Sequence, residues 1–576
     1  MGGQRSSLQV LKKIGVSLLV LIVGLGVALA MLTNRPSPPA SQAFVNANVL
    51  TMNRTNEVAE AVFIEDERIT AVGTRAEIEA MITSGTEVHD IGGRTLIPGF
   101  IDAHGHFPGT GLVTQAVDLN SPPIGEIESI EQIVEKLRTY AADKPKGEWI
   151  MGLAYDDTLV AEKRHPTRHD LDRASTEHPI VASHVSGHLS VANTKALELA
   201  GITAETPDPQ GGIIRREEDG HPSGVLEETA ARPLSEKAMN IGASGLIEMI
   251  DHAAAEYSSV GVTTAQSGLS NELIIDGLYL AHMLGKIPFR LELFGDADVG
   301  RKIVSGEMDP SSYQGDYFNL GAIKIVGDGS IQGYTGYLSE PYHVPFEGDV
   351  DYRGYPTLKR EDLAELVSTL HSADLQMAIH GNGDAAIDDI IYAVEGAQSK
   401  YKRDDPRLIL IHAQMARDDQ LDRMKQLGIT PSFFVAHTYY WGDRHRDIFM
   451  GPERAARMSP TATALKKEVP FSIHLDSPVV PMQPTLLVWS AVNRLSTSGK
   501  VIGPAERIGV IEALRAVTID AAWQIFQEDN RGSIETGKFA DLVVLAENPI
   551  EHPTRIRDIK VDRTVVGGLT TFVREN

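Results

Sequence analysis

The run RLILIHAQMARDDQLDRMKQLGITPSFFVAH, residues 407–437, carries the pattern on which the fold turns. An apolar stretch ends in His412, a charged segment with helix-like spacing follows, and a second apolar stretch ends in His437. Strand, helix and strand in such short order make a parallel βαβ unit. The same rhythm continues outward on both sides. VGVTTAQSG (260–268), PFRLELFGD (288–296), LGAIKIVGDGS (320–330), LQMAIHGNGD (375–384) and VPFSIHLDSP (469–478) are short apolar runs that end in polar residues. Helical patterns such as REDLAELVSTLHSAD (360–374) lie between them. Repeated this often, the alternation predicts an α/β chain built on a distorted (β/α)8 TIM barrel. The C-terminal ends of the strands then form one polar face.

The two ends of the chain read differently. AFVNANVLTM (43–52), EAVFIEDERITAVG (60–73) and TEVHDIGGRTLIPGF (86–100) are short β-type segments, with a hairpin turn at Asp66 and Glu67. GKFADLVVLAEN (537–548) and DRTVVGGLTTFV (562–573) repeat that character. They predict a small β-sandwich domain built from residues 43–98 and 526–576, flanking a barrel over 99–525. Residues from about 113 to 260 fit the βα rhythm poorly and read as an inserted subdomain. TNRPSPPASQ (33–42) is a Pro/Ser-rich linker. Before it, Arg5, Lys12 and Lys13 precede an uncharged apolar run over residues 14–32. Residues 1–32 therefore read as a signal peptide or a retained transmembrane anchor, and either implies export to a periplasmic or extracellular location.

Composition narrows the chemistry. With 42% hydrophobic and 23% charged residues in 576, disorder is not the default. A net charge of -25 excludes a nucleic-acid partner and confines membrane contact to the N-terminal segment. The absence of cysteine excludes disulfides, a thiol nucleophile and thiolate metal sites, so a metal must be held by His, Asp, Glu or a modified Lys. No G-x-S-x-G elbow, P-loop or H-E-x-x-H motif is present.

The candidate ligands begin in PGFIDAHGH (98–106), where His104 and His106 stand two apart and would share one face of a strand. Such a pair is weak evidence alone, since roughly 0.6 His-x-His pairs are expected by chance at this histidine content. Its company strengthens it: His380, His412 and Asp476 each lie at the end of an apolar strand. Asp102, two residues before His104, would support that ligand or pack near the strand end. His474, two before Asp476, either touches the site or caps the core. In FFVAHTYYWGDRHRD (433–447), His437, Tyr439, Tyr440 and Trp441 are placed to line a substrate pocket at the barrel mouth.

These motifs together resemble the amidohydrolase superfamily, and within it the YtcJ-like amidohydrolases related to N-substituted formamide deformylases. GGRTLIPGFIDAHGH, SGHLSVANTKALELAGI, DPQGGIIRREEDGHPSGVLEE, KIVGDGSIQGYTGYLSEPY, IHGNGDAAID, IHAQ and GSIETGKFADLVVL carry the likeness over nearly the whole chain after the linker. The resemblance implies a metal-dependent hydrolase that cleaves the C–N bond of a small N-acyl or N-formyl amine through a metal-bound hydroxide. Its implied metal ligands are His104, His106, Lys324 as a carboxylated bridging lysine, His380, His412 and Asp476, with Asp476 also the catalytic general base. It implies one or two divalent ions per chain; zinc suits the donor set best, with manganese, iron or cobalt as alternatives. His188 matches a family position near the site and is a candidate for substrate contact. On its own residues, Lys324 must be either modified or paired with a nearby acid such as Asp328, because a free ammonium cannot ligate a cation. Hydrolysis of another bond (lactone, carbamate or peptide) on the same scaffold stays open, as does a non-catalytic binding protein. The motif around the last acid departs from the usual pattern, which has Gly-Ser before the Asp and a Trp after it. A homodimer through the exposed edges of the β domain is a further expectation.

Overall fold

The computed structural model describes residues 36–239 and 241–575. The apolar segment over residues 14–32, and with it the signal-or-anchor reading, lies outside them. Among the described residues no helix is long and apolar enough to cross a membrane.

Eight parallel strands form the central sheet: β1 (Phe100–Ile101), β2 (Val262–Ser270), β3 (Arg290–Gly295), β4 (Phe318–Val326), β5 (Met377–Gly381), β6 (Leu408–His412), β7 (Ile429–Phe433) and β8 (Ser472–Ile473). They neighbour one another in sequence order, as successive βα units laid side by side do. Helices such as Glu272–Met283, Arg360–Ser372, Asp384–Lys400 and Asp418–Leu427 fill the crossovers. Their ends follow local chemistry. Asn271 accepts a hydrogen bond from the Ile274 amide at one helix start, and Gly428, at φ 70°, ends the helix before β7. The sheet curls until its edges meet beyond β1 and β8. There the Asp476 amide donates to the His104 carbonyl (3.1 Å) and the His106 amide to the Ser477 carbonyl (2.7 Å).

Both ends of the chain contribute to a second, six-stranded sheet. Thr95–Pro98 pairs antiparallel with Leu542–Leu545, with Asn48–Leu50 and Val58–Ala59 on one side and Val561–Val566 and Leu569–Val573 on the other. A four-stranded sheet (Arg68–Gly73, Ala61–Glu65, Ser41–Val45, Glu87–Asp90) shares a core with it through Phe44, Val62, Ile64, Leu96, Leu542 and Val565. The expected turn at Asp66 and Glu67 joins two of these strands.

The region that broke the βα rhythm contains a sheet of its own. Six strands between Val117 and Glu228 surround a separate core that includes Leu119, Ile133, Leu137, Tyr155 and Ile180. Helix Ala243–Ser259, within the expected insertion, instead packs Ile250, Ala253 and Tyr257 into the main barrel core.

One buried ion pair ties the barrel to the end-built sheet. Arg290, at the start of β3 and fully buried, donates to both carboxylate oxygens of Asp541 (2.7 and 3.0 Å) and to the Asp316 carbonyl (2.7 Å). The Gly567 amide adds a bond to Asp541 (2.8 Å). Removing one partner leaves an uncompensated buried charge. Asp541→Ala is therefore expected to cost about 3–5 kcal/mol, read as a lower urea midpoint, with much of the loss recovered in Arg290→Met/Asp541→Leu.

Candidate metal centre

β1 ends at Ile101, so His104 and His106 stand on the loop beyond it rather than on a strand face. Strand alternation is therefore not what brings them together. The loop turns back on Gly105, whose carbonyl accepts from the Gly268 amide (2.7 Å), and the backbone bonds to Asp476 and Ser477 fix its path. The two imidazoles consequently face one carboxylate. His106 Nε2 lies 3.1 Å and His104 Nε2 3.5 Å from Asp476 Oδ1, while His412 Nε2 lies 3.7 Å from Oδ2. Gly268 is needed here, since a Cβ at that position would collide with the His104 ring.

Strain marks the same residues. Asp476 (φ 58°), His412 (φ 73°) and Ala413 (φ 45°) all occupy the left-handed region that L residues rarely adopt. Such conformations persist where surrounding structure enforces them, and they cluster at functional sites.

Each imidazole is oriented by a partner behind it. Gln266 donates through Nε2 to the Ala103 carbonyl (2.9 Å), which turns its Oε1 toward His104 Nδ1 (2.7 Å). His104 Nδ1 must then be the donor, leaving the Nε2 lone pair free to face the site. Asp328 accepts from His380 Nδ1 (3.0 Å) and from the amides of Asn382, Gly383 and Tyr337 (2.9, 2.8 and 3.0 Å). Asp328 is thus committed to His380 and does not pair with Lys324, which corrects that alternative. His474 sits behind His412, with Nε2 3.0 Å from His412 Nδ1 and Nδ1 2.8 Å from Ser432 Oγ. Asp328 and His474 are polar residues just after strand ends, the one sequence signal that marks them, whereas Gln266 lies in mid-strand. Partners of this kind hold metal-ligating histidines in one tautomer.

Lys324, on β4, is buried with Nζ 2.9 Å from His104 Nε2. Burial brings its amine down to about 7, against the attraction of Asp476. Burial also holds His104 and His412 well below the usual imidazole range, with Lys324 adding to the effect on His104 and His380 on His412. Burial alone would raise the Asp476 carboxyl, but His106, 3.1 Å away, and the surrounding imidazoles keep it well below the usual carboxylate range. Asp102 sits on a buried shelf beside the site, pushed up to about 8 by burial, with one carboxylate oxygen unpartnered.

The residues present fit a cation. His104, His412 and Asp476 offer ligand atoms within 4.8 Å of one another, all buried, and Asp476 Oδ1 has no hydrogen-bond partner. His380 adjoins this group through the His412 ring at 4.5 Å. His188 reaches His380 (rings 5.1 Å apart) and is held by Glu228 through Nδ1 (2.8 Å). Burial opposes the charged form of His188, and Glu228 outweighs it to raise its pKa. His437 lies 6.3 Å from the His412 ring, with Trp441 a further 5.5 Å behind it. Tyr440 is more remote, stacked among Tyr439 and Trp441.

A family model described as the amidohydrolase family matches residues 87–572. N-substituted formamide deformylase of Arthrobacter pascens is 31% identical over 543 residues, 92% of this chain and 98% of that protein. The putative amidohydrolase YtcJ of Bacillus subtilis (strain 168) is 28% identical over 541 residues, covering 91% of this chain and 98% of the relative. The solved structure of an uncharacterized metal-dependent hydrolase from Pyrococcus horikoshii OT3 superposes with a TM-score of 0.70 at 25% identity, covering 88% of this chain and 98% of that one.

Two outcomes follow from this geometry. Gln266→Leu frees the His104 ring and is expected to weaken metal affinity about 10–100-fold in competition with a chromophoric chelator; unchanged affinity removes Gln266 from this role. Burial pushes His445 down to about 4 and His474 to about 3, from an ordinary 6.5. Below 6.5 the unfolded chain binds protons that these neutral imidazoles refuse. Their stabilisation is full above that pH and is lost as pH falls toward the folded values. For His445 alone the loss by pH 4 is about 3 kcal/mol, read from the melting temperature of metal-free protein against pH.

Proposed function

The chain belongs to the amidohydrolase family of metal-dependent hydrolases, and from that premise we propose that it cleaves the C–N bond of an N-acyl or N-formyl amine with Asp476 as general base. The observation that carries this reading is the Asp476 carboxylate, buried with one oxygen unpartnered and faced by the Nε2 atoms of His104, His106 and His412. His104, His106 and Asp476 would hold one divalent ion, with carboxylated Lys324, His380 and His412 holding a second; zinc suits this donor set best. When bound, such an ion lowers the pKa of water toward neutrality and polarises the carbonyl under attack.

The chain's own residues supply the remaining steps. Asp476, kept ionised by its neighbours, takes the proton from the attacking water as the new C–O bond forms. When the C–N bond breaks, Asp476 returns that proton to the nitrogen, so that a neutral amine leaves together with a carboxylic or formic acid, which gives up its remaining proton to solvent as the carboxylate. Lys324 is prepared for modification by its environment. With its amine brought down to about 7, a large neutral fraction is present near neutral pH. The Nζ lone pair can add to carbon dioxide, giving a carbamate and releasing a proton.

Support for an N-acyl or N-formyl substrate comes from the 31% identical relative named for formamide hydrolysis and from the partly aromatic surroundings of His412. His188 and His437 stand beside the ligand group and are read as substrate contacts, with Tyr440 and Trp441 forming the wall behind them. The end-built sheets are read as one small β-sandwich, and the chain as exported.

The test is a panel of N-formyl amines, N-acyl amines, carbamates, lactones and peptides, assayed with and without chelator. Chelator-sensitive turnover confined to the first two classes is expected, and preference for a lactone or peptide overturns the substrate reading. Asp476→Asn should lower kcat/KM by about 10²–10⁴-fold while leaving the circular dichroism spectrum unchanged. Activity retained in that variant removes Asp476 as the base.

A further inference from the structure

A second group of ligand-type side chains lies in the inserted subdomain. Strand Ile150–Tyr155 runs parallel to strand Ile180–His184, with Tyr155 in register with His184. Asp156 and Asp157 follow the first strand directly, His184 ends the second, and His165 returns on the loop between them. Asp156, Asp157 and His184 present ligand atoms within 4.8 Å of one another.

Both histidines are fixed at Nδ1. Tyr155 OH lies 2.9 Å from His165 Nδ1, and Ser186 sets both its Oγ (2.8 Å) and its backbone amide (3.3 Å) against His184 Nδ1. Each ring therefore turns its Nε2 toward Asp157. His184 Nε2 is 3.0 Å from Oδ1, and His165 Nε2 is 3.8 Å from Oδ2. The second distance is too long for a hydrogen bond. Nitrogen and oxygen donors each about 2.0–2.2 Å from one tetrahedral zinc ion lie about 3.3–3.5 Å apart, between the two observed values. A hydroxyl on Nδ1 with Nε2 aimed at a shared carboxylate is the arrangement that fixes histidine for metal binding.

Asp157 is bonded to His184 Nε2 (3.0 Å) and, among the described residues, pairs with no arginine or lysine. Asp156 is committed elsewhere, bonded to Arg444 (2.6 Å), to the Thr158 amide and hydroxyl (2.9 and 2.6 Å), and more weakly to Trp441 Nε1 (3.4 Å). Arg215, the other nearby cation, is paired with Glu227. We infer that Asp157, His165 and His184 form a binding site for one divalent transition-metal ion of the zinc class, separate from the site at Asp476.

The consequence is a clamp. The ion joins two strand ends and the loop between them, and the adjacent Asp156 holds Trp441 and Arg444 of the segment that carries His437. The site would set the wall above the catalytic centre without touching substrate.

The test uses the full chain with His104→Asn, His380→Asn, His412→Asn and Asp476→Asn, which removes two donors from each of the two catalytic ion positions. Metal-free protein is titrated with zinc, and in parallel with cobalt, while ion content, calorimetric affinity and the cobalt absorption spectrum are recorded. One ion per chain is expected, with affinity reduced at least 100-fold when either Asp157→Asn or His165→Gln is added. Zinc should raise the melting temperature of the parent but not of those two variants; comparing their metal-free circular dichroism spectra separates lost ligation from lost folding. If one of the two fails to fold, the other decides. Binding of no ion by the parent overturns the proposal, as does an unchanged ion count and affinity in the folded variants. Wild-type protein that keeps only the ion sensitive to His165→Gln would instead overturn the catalytic metal reading and leave this one standing.

Discussion

Asp476 is a buried carboxylate whose backbone amide bonds to His104 and whose side chain faces three imidazoles. Burying an ionised carboxylate is costly unless cations or donors surround it, so its neighbours are constrained as a set. The histidines provide part of that compensation, and three of them are held there by Gln266, Asp328 and His474. The left-handed backbone of Asp476 and His412 shows how tightly the surrounding chain enforces the arrangement. The curl of the sheet and the site depend on the same contact, because the backbone bonds that join the sheet edges also aim the ligands.

The remaining layers support that contact from outside. Arg290 and Asp541 fasten the bottom of β3 to a sheet made from both ends of the chain. The inserted sheet contributes His188 beside His380, and through Asp156 it grips the segment that carries His437 and Trp441. Part of the surroundings of the site therefore comes from an insertion with its own core.

Much of the fold was legible because it is periodic. Apolar runs ending in polar residues, separated by helical patterns, announced β2 through β8, and the two β-rich ends do pair through Thr95–Pro98 and Leu542–Leu545. The histidine and aspartate candidates were legible because each closes such a run. The role of Gln266 was not, since a glutamine in the middle of a strand carries no mark of the ring it will orient. The partner of Asp328 was hidden for a similar reason. Asp328 lies near Lys324 in sequence, yet the sheet register sets it beside the end of β5 and so beside His380.

By itself the sequence determined the strand–helix alternation, the absence of thiol chemistry and the residue types available to a cation, because these follow from local period and composition. Tertiary structure alone decided which donors face which carboxylate. Lys324 and His104 are 220 residues apart and meet at 2.9 Å. His104 and His106 converge on Asp476 through a loop and the closing of the sheet edges, not through strand alternation. The physical reason is reach: periodicity constrains neighbours a few residues apart, whereas a buried charge is satisfied only by groups that the closed sheet delivers from across the chain.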